Sequence, residues 1–212
     1  MKLKNKFIKL NSADRLYELS IPIIALTGGI ATGKSTVANY FQKANLPLLD
    51  ADKLVKLVYQ KDEVIEHIRR RHSSVMENNK IQFRKLREIF FQDQKVKNEI
   101  ENLIYSHLPG VFKEELTKLG SPSFVIYDIP LLFEKNLESK FDLNILVYTD
   151  PEIQIERLIK RDHHTEEEAR NIINQQISIT EKKERSDLVI FNTKDLSYLQ
   201  EQVNGVIENI FE

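Results

Sequence analysis

The segment IPIIALTGGIATGKSTVANYF, residues 21–41, constrains the fold more than any other part of the chain. It begins with a short apolar run rich in β-branched residues, which is typical of a strand buried on both faces. A glycine-rich turn follows. From about Lys34 onwards, Val37, Ala38 and Phe41 recur at the spacing of one helix face. The order of strand, turn and helix predicts the first unit of an α/β fold.

The turn fits the pattern G-x-x-x-x-G-K-S of loops that bind nucleoside triphosphates. Its glycines permit left-handed backbone angles, so that several N–H groups can point inwards and bind an anion. Lys34 adds a positive charge, and the Ser35 hydroxyl stands where a Mg²⁺ ligand is needed. The helix N-terminus also favours phosphate. The sequence therefore predicts a phosphate-binding loop made of Gly28, Gly29, Ile30, Ala31, Thr32, Gly33, Lys34, Ser35 and Thr36.

Composition narrows the class of protein. A chain of 212 residues is long enough for one α/β domain with a subdomain. It contains no cysteine, which excludes disulfides, thiolate metal sites and cysteine nucleophiles. The formal net charge of −1 creates no overall field that attracts nucleic acid, and no run resembles a signal peptide or a membrane span. We expect a soluble, cytoplasmic protein that binds neither nucleic acid nor membrane, and a homo-oligomer is left open.

Four later apolar runs predict further strands. Helical periodicity separates them, and this alternation predicts a right-handed, parallel sheet of five strands with helices on both faces. The four runs cover residues 48–50, 124–128, 143–149 and 188–192.

The remaining segments predict the domain organisation. Residues 61–120 have helical periodicity and form an insertion. Residues 151–185 contain two helices joined by a short polar turn, the second of which begins with a capping box of Thr165 and Glu168, and this arrangement suits a lid over phosphates. Residues 1–20 precede the first strand, either as a helix packed on the domain or as a loosely docked extension. The domain built on the phosphate-binding loop then spans 21–212, with its core at about 21–60, 121–150 and 186–212.

Acidic residues stand at the ends of two predicted strands. Asp50 and Asp128 each end an apolar run, and the carboxyl ends of parallel strands face the ligand crevice. Asp52 follows Asp50 at the start of the next helix. One of these two neighbours can support Mg²⁺ while the other reaches a substrate hydroxyl. An N-cap role for either residue fits the spacing equally well.

Two arginines mark the predicted lid. Arg157 and Arg161 are four residues apart, so they share one face of their helix. Guanidinium groups suit phosphate recognition, although an ordinary helix surface carries the same residues.

Several segments together resemble the dephospho-coenzyme A kinase family. They are ALTGGIATGKSTVANYF, LLDAD, DIPLLFE, QIERLIKR and QQISITEKKERSDLVIFN, in that order along the chain. DIPLLFE is the most specific, because other P-loop kinases share the loop without it. The chain departs from the family pattern at Gln82-Phe83, at His107-Leu108-Pro109 and at Phe191.

The resemblance implies phosphoryl transfer from ATP, with Mg²⁺, to the ribose 3′-hydroxyl of dephospho-coenzyme A. It implies a P-loop NTPase fold with a helical substrate subdomain and a small helical lid. Asp52 is then the base, Lys34 and Arg161 assist catalysis, and Arg157 and Asn192 contact the nucleotide. Ser35 holds Mg²⁺, with Asp50 as a second candidate. The acceptor contacts implied are Asp50, Asp52, His107, Asp128, Pro130, Leu131, Leu132 and Glu134.

Two other functions remain open at this point. The loop also suits a kinase for another small nucleotide or hydroxyl acceptor, or a regulatory P-loop NTPase. The segment Asn192-Thr193-Lys194-Asp195 resembles the guanine-reading pattern N-K-x-D, but its lysine stands one place late.

Overall fold

The computed structural model describes residues 1–212 and divides into two compact units. The first unit combines Met1–Asp50 with Ser121–Glu212, and the second is Ala51–Gly120. The second unit thus begins earlier than the boundary near residue 61 that the sequence predicts. Residues 1–20 belong to the first unit, together with the core.

Strands and helices are numbered along the chain. The strands are β1 Ile23–Gly28, β2 Leu48–Asp50, β3 Met76–Glu77, β4 Lys80–Ile81, β5 Val125–Asp128, β6 Leu143–Tyr148 and β7 Leu188–Phe191. The α-helices are α1 Lys34–Lys43, α2 Ala51–Val58, α3 Asp62–Arg71, α4 Phe83–Gln92, α5 Gln94–Lys118, α6 Pro151–Asp162, α7 Glu166–Asn174, α8 Ile179–Arg185 and α9 Leu196–Ile210. None of these helices is long and apolar enough to cross a lipid bilayer.

The first unit is built on a five-stranded sheet in the order β2-β5-β1-β6-β7. Every neighbouring pair in it is parallel. The five predicted strands are all present, so the parallel α/β fold is confirmed. Strand β1 lies in the centre, and its six residues are all buried. The phosphate-binding loop therefore starts from the most protected strand of the sheet.

One face of the sheet packs against α1 and α9. Ile24 and Leu26 of β1 point to this face, and Phe41 of α1 is completely buried in the same cluster. Helix α9 contributes Leu199 and Val203 to it. Since a buried Leu, Ile or Phe side chain contributes roughly 1.5–3 kcal/mol, this cluster fixes α1 firmly behind the loop.

The N-terminal segment is docked on the first unit, largely without regular helix. Leu3 is buried in the core cluster and forms an antiparallel bridge with Phe211. The Nζ of Lys4 donates to the carbonyls of Glu208 and Asn209 at the end of α9, at 2.8 and 2.9 Å. A lysine at a helix C-terminus is favourable because the last carbonyls lack partners within the helix. Neither alternative drawn from the sequence describes this segment.

Asp142 anchors the N-terminal segment to the start of β1. Its carboxylate is completely buried and accepts from the guanidinium Nε of Arg15 at 2.7 Å. It also accepts from the backbone N–H groups of Lys9, Leu10 and Ile23, each at 3.0 Å. Burial alone would raise the pKa of Asp142, but these donors outweigh it and hold the pKa below its ordinary value.

The second unit contains four helices and a short hairpin. Helices α3 to α5 confirm the helical character predicted for residues 61–120, but β3 and β4 form an antiparallel pair that the sequence analysis does not predict. The turn between them places Asn78 and Asn79 at positive φ, which asparagine tolerates and which suits a two-residue hairpin. Helix α5 continues through Pro109 rather than ending before it.

The predicted lid segment contains three helices. The chain turns between α6 and α7 with His163 in the left-handed region. Thr165 and Glu168 form the predicted capping box at the start of α7. Helix α8 is an addition to the prediction, and the hydroxyl of Ser178 accepts from the N–H of Glu181 at its start.

Candidate active site

The phosphate-binding loop joins β1 to α1 through two left-handed residues. Ala31 has φ 60° and Gly33 has φ 87°. A Cβ on Gly33 would lie 2.2 Å from the amide nitrogen Nδ2 of Asn192. Position 33 therefore requires glycine for two reasons: its φ is left-handed, and the close approach of Asn192 leaves no room for a side chain.

Side chains from outside the loop bind three successive loop carbonyls. Gln154 Nε2 donates to the carbonyl of Ile30 at 2.6 Å. Arg157 Nη1 donates to the carbonyl of Ala31 at 3.2 Å, and Asn192 Nδ2 to that of Thr32 at 2.8 Å. In a trans peptide, the N–H of the next residue points the opposite way. The N–H groups of Ala31 and Gly33 therefore point away from these donors, as an anion-binding loop requires.

Lys34 forms an ion pair with Asp128. The Nζ of Lys34 contacts Oδ1 of Asp128, and both side chains are largely buried. Asp128 ends β5 and stands in register with Leu26 of β1 and Asp50 of β2. The prediction that Asp50 and Asp128 reach the same edge of the sheet is confirmed. The sequence analysis does not predict the pairing of Asp128 with Lys34.

The donor set at this edge fits a Mg²⁺ ion that arrives with a nucleotide. No group of three or more His, Cys, Asp or Glu side chains forms a metal cage. Ser35, exposed in the first turn of α1, and the carboxylates of Asp50 and Asp128 offer oxygen atoms. Mg²⁺ keeps several waters and needs only one or two protein oxygens when phosphates supply others. These residues therefore suit Mg²⁺ bound with phosphates rather than a resident metal.

The two arginines of the predicted lid have different surroundings. Arg157 contacts the loop backbone and also donates through Nη2 to the carbonyl of Asn192 at 3.1 Å. Arg161 is exposed and forms a bidentate pair with Asp162, at 2.8 and 2.7 Å. This pair raises the pKa of Arg161. Of these two arginines, Arg157 alone is therefore in contact with the phosphate-binding loop.

The turn after β5 carries the predicted acceptor residues 130–134. The carbonyl of Pro130 accepts from the hydroxyl of Thr27 at 3.3 Å, Leu131 is exposed and Leu132 is buried. Glu134 is directed towards α8. Its Oε1 lies 2.6 Å from Nζ of Lys182, which has no exposed surface.

Gln176 and Lys182 are site neighbours that the sequence analysis did not single out. The pattern S-x-x-E at Ser178 and Glu181 signals the helix that carries Lys182, because a serine three residues before a glutamate is typical of a helix N-terminus. No comparable signal exists for Gln176, which lies between two helices.

Asp52 and His107 belong to the second unit. Asp52 lies in the first turn of α2, which begins directly after β2, as predicted. His107 lies inside α5, and its Nδ1 is 3.7 Å from Oε2 of Glu63.

The family comparison agrees with this arrangement. A family model described as dephospho-CoA kinase matches residues 22–197, which include the loop, Asp52, Asp128, Arg157 and Asn192. The chain belongs to the dephospho-CoA kinase family. The resemblance drawn from the sequence motifs is thereby confirmed, and the chain is a kinase of this family.

Curated relatives cover almost the whole chain. A dephospho-CoA kinase of Listeria innocua is 37% identical over 192 residues, covering 87% of this chain and 95% of the relative. A dephospho-CoA kinase of Fusobacterium nucleatum is 35% identical over 194 residues, covering 91% of this chain and 100% of the relative.

Two solved structures share the fold. The crystal structure of TT1252 from Thermus thermophilus has a TM-score of 0.79 and 28% identity, covering 91% of this chain and 99% of that one. The dephospho-CoA kinase from Campylobacter jejuni has a TM-score of 0.65 and 24% identity, covering 88% of this chain and 96% of that one. The second likeness bears on the fold alone.

Proposed function

We propose that the protein transfers the γ-phosphoryl group of ATP to the ribose 3′-hydroxyl of dephospho-CoA, giving CoA and ADP in the cytoplasm. The observation that carries this proposal is the family match over residues 22–197, which includes the phosphate-binding loop and Asn192. The geometry of the loop supports it, because Lys34 and the N–H groups of Ala31 and Gly33 are donors that suit phosphate oxygens, while the loop carbonyls are bound by side chains from outside the loop.

The transfer needs positioning and charge neutralisation more than covalent chemistry. The 3′-oxygen forms a bond to the γ-phosphorus while the bond from that phosphorus to the β,γ-bridging oxygen breaks. The hydroxyl proton passes to the carboxylate of Asp52, and the leaving ADP keeps the bond electrons. Lys34 and Arg161 would stabilise the negative charge on the phosphoryl oxygens. Arg161 must first leave its pair with Asp162.

Ser35 would hold Mg²⁺, with Asp50 as the second candidate. When bound with ATP, the ion would supply positive charge that offsets the negative charge of the phosphates. Asp128 would lie beside Asp50 and the bound phosphates, since it pairs with Lys34 at the same edge of the sheet.

The remaining predicted residues are assigned to binding. The rest of the loop, with Arg157 and Asn192, would hold ATP, as the contacts of both side chains with the loop backbone support. The proposed acceptor contacts are Asp50, Asp52, His107, Asp128, Pro130, Leu131, Leu132 and Glu134. Residues 61–120 would serve as the substrate subdomain and residues 151–185 as the lid.

A comparison of acceptors tests the proposal. We expect ADP release from ATP to depend on dephospho-CoA, with a far higher kcat/KM than for AMP, nucleosides or shikimate. Lys34→Met, which keeps a similar chain length without the charge, is the negative control. Preference for another acceptor would favour the rival kinase. Acceptor-independent hydrolysis with GTP preferred would favour a regulatory NTPase.

A further inference from the structure

Two glutamine side chains bind the two backbone polar groups of the same loop residue. The N–H of Ile30 donates to Oε1 of Gln176 at 2.9 Å, and the carbonyl of Ile30 accepts from Nε2 of Gln154 at 2.6 Å. Gln154 comes from α6 and is almost fully buried, whereas Gln176 lies between α7 and α8. Ile30 is thus held from two different segments.

Packing supports the same attachment. The side chain of Ile30 packs against the cluster formed by Ile155 and Leu158 of α6 and Ala169 of α7. A Cβ on Gly29 would lie 2.7 Å from Nε2 of Gln154. The glycine before Ile30 therefore leaves the room that lets Gln154 reach the loop backbone.

A buried ion pair fixes the position of Gln176. Oε1 of Glu134 lies 2.6 Å from Nζ of the buried Lys182 and accepts from the N–H of Ile177 at 3.2 Å. Ile177 directly follows Gln176, so the backbone beside Gln176 is tied to the turn after β5. A side chain held in this way has little freedom to lose when it binds Ile30.

We propose that Gln154 and Gln176 are positioning residues that hold the phosphate-binding loop at Ile30 in its nucleotide-binding conformation. A loop held in advance pays less ordering entropy when the phosphates bind. Removal of either contact should therefore weaken the binding of ATP and ADP and leave the KM for dephospho-CoA unchanged. The choice of ligands rests on the proposed function, but the effect on the loop does not.

The decisive variant is Gln176→Met, which removes the acceptor and keeps a side chain of similar length. Gln175→Met is the matched control, because Gln175 is the exposed neighbour in sequence. Hydrogen exchange at the Ile30 amide, followed by NMR without nucleotide, should accelerate roughly tenfold in Gln176→Met alone, as expected for one lost hydrogen bond. The dissociation constant of ADP, measured by calorimetry, should rise roughly three- to tenfold.

Gln176→Glu separates the hydrogen bond from the charge. A carboxylate oxygen still accepts from the Ile30 N–H, so hydrogen exchange at Ile30 should stay slow. The added negative charge should nevertheless weaken the binding of ADP. Gln154→Glu replaces the donor to the Ile30 carbonyl by an acceptor. It should therefore accelerate hydrogen exchange at Ile30 and also weaken the binding of ADP.

The proposal is overturned if Gln176→Met and Gln175→Met show the same exchange at Ile30, or if ADP affinity is unchanged when exchange accelerates. Absence of phosphoryl transfer to dephospho-CoA in the wild type would refute the proposed function instead. It would leave the exchange and ADP measurements valid.

Discussion

Lys34 Nζ and Asp128 Oδ1 are in direct contact, so a carboxylate at the end of β5 balances the charge of the loop lysine. Both side chains are largely buried, and partial removal from water strengthens their attraction. A bound phosphate would have to compete with Asp128 for the same ammonium group. This competition should lower nucleotide affinity and help ADP to leave.

Asp128→Asn tests this competition. The variant removes one negative charge beside the loop, so we expect metal-free ADP to bind roughly fivefold more tightly, equivalent to about 1 kcal/mol. Calorimetry in the presence of a chelator provides the measurement. Asp187→Asn is the control, since it changes the net charge equally but pairs with Lys9 and lies before β7. Unchanged or weaker ADP binding in Asp128→Asn would contradict the competition.

Asp52→Asn tests the proposed base. Loss of proton acceptance should lower kcat roughly 10²- to 10⁴-fold, while ATP affinity stays near that of the wild type. Steady-state turnover with dephospho-CoA and calorimetry with ATP measure the two quantities. Asp62→Asn, in the first turn of α3 in the same unit, is the matched control. Normal turnover in Asp52→Asn would remove Asp52 from this role.

Gly33→Ala should weaken nucleotide binding. The substitution forces a side chain into the left-handed region, at a cost of about 1–2 kcal/mol, and displaces Asn192 from the carbonyl of Thr32. We expect ADP affinity to fall at least roughly tenfold, because the loop loses both its backbone conformation at residue 33 and the hydrogen bond from Asn192.

Gly205→Ala provides the opposite control. Gly205 lies inside α9, and an added Cβ would meet no atom within 4 Å. Alanine should therefore raise the free energy of unfolding by about 0.5–1 kcal/mol and leave ADP binding unchanged. Urea unfolding distinguishes the two variants, and equal effects would contradict the distinction drawn between these glycines.

Asp142→Asn should lower the free energy of unfolding by about 3 kcal/mol at pH 7, because Arg15 loses its buried partner. The pKa of Asp142 is lowered in the folded protein from its ordinary value of 3.8. Its contribution is therefore complete above pH 3.8 and is lost as the pH falls through the lower folded-state pKa.

Urea unfolding between pH 7 and pH 2.5 measures this dependence. The wild type should lose stability relative to Asp142→Asn below pH 3.8, so that the two curves converge. Asp14→Asn, an exposed acid on the same segment, should follow the wild type throughout. Parallel curves for the wild type and Asp142→Asn would show that Asp142 does not account for the acid sensitivity.

The parts of the fold that are encoded locally could be predicted from the sequence. Strand β1 follows from a short β-branched run, and the capping box at Thr165 from two residues three apart. The neighbouring positions of Asp50 and Asp128 follow from the geometry of parallel strands. Each of these features can be predicted from a single local segment, or from one general rule of sheet geometry that relates two segments.

Features that depend on distant partners could not be predicted in this way. The docking of the N-terminal segment depends on Asp142, more than a hundred residues from Arg15, and no local pattern signals it. The contact of Gln176 with Ile30 is equally remote in sequence. The hairpin at Asn78 and Asn79 is different, because its turn residues are visible but its strands have only two residues each.

The bridge between Leu3 and Phe211 has a consequence for the order of folding. The two residues are more than two hundred positions apart, so a very long stretch of chain must be closed into a loop before they can meet. Contacts of such large sequence separation form slowly. We therefore expect the N-terminal segment to dock beside α9 only after the sheet behind it has formed.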